Sequence, residues 1–232
     1  MLVDLTYWKR FKREFWKRLW EDLEIGYLDE DLLPILVRLN TDQNIYTLSS
    51  CSGRIVISDS TYPWSREETS IVFKKHIPIN TEEILEVIKK PVVRRLWLNI
   101  NGPILHVSVS NPVLARLLLR IARNAGLKHS GILSINKYKG IILELMSGVK
   151  ATILLKTRER IIVDVDSIEE LVSIANEILS VGKRILIRLE NTIKKELPQA
   201  PDREILDDLS RKGIDINKLS VRDCLLEAGF SL

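Results

Sequence analysis

The run RRLWLNINGPILHVSV, residues 94–109, sets two alternating apolar segments on either side of Asn101-Gly102. Leu96, Leu98 and Ile100 share one face of the first segment, and Leu105, Val107 and Val109 one face of the second. Period-two alternation marks a half-buried strand, and Asn-Gly is what a two-residue turn with positive φ favours. The run therefore predicts a β-hairpin. His106 falls on the face opposite Leu105, Val107 and Val109, beside Ile104 and Ser108.

Outward from it the signals alternate between helix and strand. Asn111-Pro112 opens a helix, asparagine as cap and proline at the first position, and Gly126 closes it. Upstream, Asn80 with Glu83 forms a capping box for a helix ending before Pro91. Strands are predicted at Arg54–Asp59 and Ser70–Lys75, joined by a loop holding Tyr62, Pro63 and Trp64. Further strands are expected at 131–136, 141–147, 150–156 and 160–165, then a long helix from a Ser167/Glu170 capping box to Leu197. At the N-terminus, residues 5–24 carry Tyr7, Phe11, Phe15 and Leu19 at spacing four, an amphipathic helix, and a second helix spans 31–40. The fold class is α+β, with mixed or largely antiparallel sheets under packed helices. Residues 1–197 form one domain and 198–232 a helical appendage beyond Pro198 and Pro201. Ser52-Gly53 and Ser130-Gly131 each follow an apolar helix and precede a strand, which suggests an internal duplication.

The chain has 232 residues, 45% hydrophobic and 28% charged, the balance of a globular protein able to bury a core. No apolar run reaches the length of a membrane span, and the charged, aromatic N-terminus is no secretory signal. Two cysteines, Cys51 and Cys224, make no disulfide framework, so a reducing cytoplasm is the expected address. Glutamine occurs only at Gln43 and Gln199, a heat-adapted balance. The net charge of +4 is concentrated at Lys9, Arg10, Lys12, Arg13, Lys17 and Arg18, which suits a polyanion such as RNA or simply a solvated helix face. No GxGxxG, P-loop or HExxH occurs, so a Rossmann cofactor site is unsupported.

Residues 47–54, TLSSCSGR, concentrate chemistry. Hydroxyls at Ser49, Ser50 and Ser52 donate or accept, Gly53 admits close backbone approach, and Arg54 offers a fork for carboxylate or phosphate. The alternative is a polar turn whose serines satisfy only backbone. Cys51 is a nucleophile or, more commonly, a small buried filler. His76, His106 and His129 lack zinc-ligand spacing, so no metal is expected, and one of them can serve as a proton acceptor.

Ile45-Tyr46-Thr47-Leu48 leading into Ser49–Arg54, IVFKKHIP at His76 and Pro103-Ile104-Leu105-His106-Val107 resemble the methyltransferases of the third step of tRNA wybutosine synthesis. Ala122, Gly126 and Ser130-Gly131-Ile132 add to the likeness, as do Gly26, Asp29, Asn40, Ala175-Asn176, Lys183-Arg184 and Arg188-Leu189; the match runs over about residues 7–197. Ile77 departs from it where relatives often carry a polar or acidic residue. The resemblance implies a non-Rossmann enzyme that uses S-adenosylmethionine to methylate N4 of a tricyclic guanosine-derived base beside the anticodon of tRNA-Phe. Under it, His76 and His106 are candidate catalytic residues. Ser49, Ser50, Ser52, Gly53, Arg54, Ser130 and Gly131 are expected to bind cofactor. Lys9, Arg10, Lys12, Arg13, Lys17, Arg18, Trp64, Lys183, Arg184 and Arg188 are expected to bind RNA. The rival readings are a metal-dependent RNA-processing hydrolase and a non-catalytic tRNA-binding protein.

Overall fold

The computed structural model describes residues 3–65, 67–198 and 200–232. Asp4 caps α1 (Leu5–Glu24), its carboxylate accepting from the amides of Thr6 at 3.1 Å and Tyr7 at 3.4 Å. The buried stripe of α1 is Trp8, Lys12, Trp16 and Leu19, one position round from the expected face, and Tyr7 is exposed. A 3-10 turn, Glu30–Leu32, leads into α2 (Leu33–Asn40), with Pro34 in the first turn where amides lack helical partners.

The chain then runs through β1 (Ile45–Cys51), β2 (Arg54–Asp59), β3 (Ser70–Lys75), α3 (Thr81–Lys89), β4 (Arg95–Asn101) and β5 (Ile104–Val109). It continues with α4 (Pro112–Ala125), β6 (Gly131–Asn136), β7 (Gly140–Met146), β8 (Lys150–Thr157) and the long α5 (Ile168–Glu196), and α6 (Arg203–Arg211) and α7 (Val221–Glu227) follow. The strands make two antiparallel four-stranded sheets, ordered β1-β5-β7-β6 and β3-β2-β4-β8. The α+β class stands, with sheets wholly antiparallel.

Five expectations are corrected. Residues 94–109 are not a hairpin, because β4 and β5 lie in different sheets. Gly102 does not adopt positive φ, its amide donates to Val149 O at 2.8 Å, and Pro103 has no N–H to close a ladder, so the chain crosses between sheets. The serine run is itself strand β1, bulged between Thr47 and Ser50, and the turn is confined to Ser52-Gly53. Residues 160–165 keep only a Lys156–Ile161 bridge, and Ser167 makes no cap bond to α5. The duplication fails on its own pairing: Ser52-Gly53 joins the two sheets, whereas Ser130-Gly131 opens the edge strand β6. The local cap signals at Asn80/Glu83 and Asn111 are present as expected, with Gly126 at φ +108°.

Three crossings, β1 to β2, β4 to β5 and β7 to β8, join the two sheets. Backbone packs on backbone where the first two meet. Gly53 has φ +101°, and a Cβ there would lie 2.9 Å from Asn101 O. The central helix α5 meets the same place through Gly182, whose Cβ would come within 3.3 Å of Gly102 Cα. That close approach brings the next residue, Lys183, under the Ser52 corner. Ile55, Ile57, Leu98, Leu105, Val107, Leu143, Leu186 and Leu189 form one core between sheets and helices. Each fully buried aliphatic contributes about 1.5–3 kcal/mol. The segment expected as an appendage adds Val221, Leu225 and Phe230 to that core, while Ile205 and Leu209 of α6 pack on Trp16 and Val37.

Candidate active site

Where β1 ends beside α1, a cleft of about 440 Å³ opens. Phe15, Arg18, Leu19 and Asp22 of α1 form one wall, Tyr27 to Asp29 and Leu36 the floor, and Thr47 to Cys51, Arg54, Lys74 and His76 the other wall. The volume lies within the roughly 300–1,000 Å³ of small-molecule sites. A cleft of about 710 Å³ between α1 and α6, and an apolar one of about 590 Å³ between α4 and β6, hold none of the motif. Chemistry, not size, selects the first.

At its centre Asp29 Oδ1 lies 3.1 Å from His76 Nδ1, and Asp29 Oδ2 accepts from the Ser52 amide at 2.8 Å. Cys51 Sγ is 4.0 Å from the same His76 nitrogen. Burial opposes a charged imidazole, but the Asp29 hydrogen bond and Cys51 outweigh it and raise the His76 pKa to about 9. Burial would likewise lift Asp29, yet His76 and the Ser52 amide hold it below the usual carboxylate range. Asp29, Cys51 and His76 bring three ligand-type atoms within 4.8 Å, a constellation able in principle to hold a cation. Cys51 and Asp29 share one ring nitrogen, however, so no acid–imidazole–thiol relay through opposite nitrogens can run. That counts against Cys51 as a nucleophile activated by His76.

Beneath the corner, Lys183 is 1% exposed and donates to Asp31 at 2.5 Å and to Ser52 Oγ at 2.6 Å, with the Phe230 ring 5.4 Å away. Helix α7 packs on the Glu30–Leu32 turn that carries Asp31. Lys183 is therefore a buried strut of the site and not an RNA contact. The second histidine sits one row along: His106 Nδ1 faces Ser49 O at 3.0 Å and its Nε2 faces Glu144 at 3.1 Å. With Nδ1 turned to a carbonyl and Nε2 to a carboxylate, neither nitrogen is left free for a substrate. His106 fixes the Ser49 backbone; the catalytic expectation for it is corrected to positioning.

Ser130 and Gly131 do not line this cleft. The Ser130 hydroxyl donates to Leu127 O at 2.6 Å and accepts from the Met146 amide, which ties off the end of α4. Lys12 is also withdrawn from any RNA face: its ammonium donates to the carbonyls of Asn40 (2.8 Å), Ile45 (2.7 Å) and Asp42 and pairs with Asp202. Burial lowers its pKa to about 8 against the pull of Asp202 and Asp42. Arg188 Nε caps Ala125 O at 3.0 Å, and Arg184 is half-buried on α5. Trp64, 75% exposed, stacks on Tyr62 in the loop that leaves the far end of β2, about 17 Å along the strand from Arg54. Lys9, Arg10, Arg13, Lys17 and Arg18 are exposed; the last four pair with Glu14, Glu204, Glu21 and Asp22 in weak, solvent-screened contacts that a phosphate can displace. Asp29, Asp31 and Lys74 are site residues to which sequence reasoning gave no role; the place of Asp29 in the family likeness and the acid run Asp29-Glu30-Asp31 were the available signals.

The family model described as Methyltransferase TYW3 matches residues 10–195. A protein of Saccharolobus solfataricus is 41% identical over 80% of this chain and 89% of its own, and one of Aeropyrum pernix is 36% identical over 69% and 85%. Both are named tRNA(Phe) 7-((3-amino-3-carboxypropyl)-4-demethylwyosine(37)-N(4))-methyltransferase. A solved Pyrococcus horikoshii protein superposes with a TM-score of 0.76 at 33% identity, covering 82% of this chain and 97% of that one. With Ser49 to Cys51, Arg54 and His76 lining one cleft, the expected cofactor residues Ser52 and Gly53 withdrawn behind its wall, and the match spanning both sheets, the chain belongs to the TYW3 methyltransferase family.

Proposed function

We propose that this chain transfers a methyl group from S-adenosylmethionine to N4 of the 7-(3-amino-3-carboxypropyl)-4-demethylwyosine base of tRNA-Phe, in the cytoplasm. The observation that carries the reading is the convergence of Ser49, Ser50, Cys51, Arg54 and the Asp29–His76 pair on one cleft of small-molecule size. The donor fits the residues present. Arg54, which has no ion-pair partner among the described residues, suits its carboxylate; Ser49 and Ser50 suit polar groups beside it; Phe15, Leu19, Leu28 and Tyr27 offer an apolar slot for a base. When bound, the cofactor supplies an electrophilic methyl on a sulfonium.

The protein's share is positioning and one proton. His106 and Glu144 hold the Ser49 carbonyl, while Lys183 and Asp31 hold Ser52, so the corner is fixed from both sides. The target nitrogen loses its proton to His76 in its neutral form, with Asp29 stabilising the imidazolium that results. Since His76 titrates near 9, the rate rises with pH up to about 9 and then levels. The basic face of α1 beside the cleft offers phosphate contacts that offset the few kcal/mol of unstacking a base.

The test is methyl transfer from labelled S-adenosylmethionine to tRNA-Phe carrying the demethylated base, with calorimetric titration of the cofactor. Ser50→Ala and Arg54→Ala are expected to lose most activity while melting like the parent. Absence of both cofactor binding and transfer would sink the reading. One equivalent of zinc in the purified, active protein would favour the hydrolase alternative.

A further inference from the structure

The charges around the cleft do not balance with the methyl donor alone. Arg54, Lys74 and His76 lie on one wall: β2 and β3 pair Ile55 with Lys75 and Val56 with Lys74, which sets Lys74 beside Arg54 and His76 on the cleft side. Lys75 turns to the other face and pairs with Glu83. Lys74 and Arg54 have no ion-pair partner among the described residues, whereas both lining acids are engaged, Asp22 by Arg18 and Asp29 by His76. A sulfonium amino acid carries two positive charges and one carboxylate. One cation can hold that carboxylate, and a second free cation would repel the donor unless another anion enters with the second substrate.

Resting on the methyltransferase reading, we propose that Lys74 binds the carboxylate of the substrate base's 3-amino-3-carboxypropyl arm, so that the cleft selects tRNA already bearing that arm. The arm is the feature that distinguishes this base from a plain demethylwyosine, and its carboxylate is the anion that completes the wall. Lys74 is exposed at the cleft edge on strand β3, where an incoming nucleotide arrives before the buried corner is reached.

The experiment compares kcat/KM on two tRNA-Phe preparations, with and without the arm, for the parent, Lys74→Met and Lys74→Arg, alongside calorimetric Kd for S-adenosylmethionine. The parent is expected to favour the armed tRNA by about 10-fold or more, the scale of one charge-assisted hydrogen bond. Lys74→Met is expected to bring the ratio close to one with unchanged cofactor Kd, and Lys74→Arg to keep most of the ratio. An equal loss on both tRNAs would make Lys74 a phosphate contact, and a weakened cofactor Kd would make it a donor contact; either overturns the proposal. So does a parent that shows no preference. A parent that methylates neither tRNA instead defeats the methyltransferase reading on which the proposal rests.

Discussion

Replacing Lys183 by methionine removes one half of a buried ion pair while roughly preserving its volume. Asp31, 7% exposed, then keeps its charge with no cation at 2.5 Å, and Ser52 Oγ loses its donor. Breaking a buried pair from one side costs about 3–5 kcal/mol, chiefly for the charge left behind. With about 2.1 cal/mol/K per residue over 232 residues, the unfolding entropy is about 0.5 kcal/mol/K, so Tm is expected to fall by about 6–10 °C. Removing both charges in Lys183→Met with Asp31→Leu is expected to restore more than half of the loss, because the stranded carboxylate goes too. Thermal melts followed by circular dichroism measure all three variants. Melting of Lys183→Met within about 2 °C of the parent, with tRNA affinity reduced instead, would return Lys183 to the RNA surface and refute the strut. Strictly additive single losses in the double variant would refute the pairing.

Gly53→Ala forces a Cβ to 2.9 Å from Asn101 O at φ +101° and is expected to cost about 1–3 kcal/mol or more, read from the denaturant midpoint. For His76, a folded pKa of about 9 above the ordinary 6.5 means that its stabilising contribution is complete below about pH 6.5 and is lost as pH rises through 9. The Tm gap between the parent and His76→Gln should therefore be widest in mild acid and close toward pH 9; a gap that widens with pH contradicts the ion pair. Lys12→Met strands three backbone carbonyls and is expected to destabilise by about 3–5 kcal/mol, whereas exposed Lys9→Met leaves Tm unchanged and reduces the salt slope of tRNA binding by about one.

What could be read from sequence was what is decided locally. The caps of α3 and α4 are set by residues within one turn, Asn80 with Glu83 and Asn111 with Pro112, and both were legible. The partner of β4 was not: alternation looks the same whether a strand pairs with its neighbour in sequence or crosses to another sheet. Only Pro103, directly after Asn101-Gly102, hinted that no ladder closes there. β1 was hidden because a bulged, serine-rich strand reads as a loop. Lys12 and Lys183 were taken for surface charges, although Lys12 stands four residues from both Trp8 and Trp16. Lys183 likewise falls in the stripe of Leu179, Gly182 and Leu186. The serine corner and His76 were found from their chemistry; Asp29, their common partner, meets them only through tertiary structure.

At the crossing, main chain meets main chain, Gly53 against Asn101 and Gly182 against Gly102, with the short side chains of Pro103, Ser147 and Val149 beside it. Side-chain joints soften on warming as rotamers open, but here the glycines bring none and the side chains beside them are short. The spacing between the Ser52 corner and the two sheets should thus stay nearly constant from ambient to high temperature. In a chain whose composition favours heat, the cleft's width is set by the part of the polypeptide least able to expand.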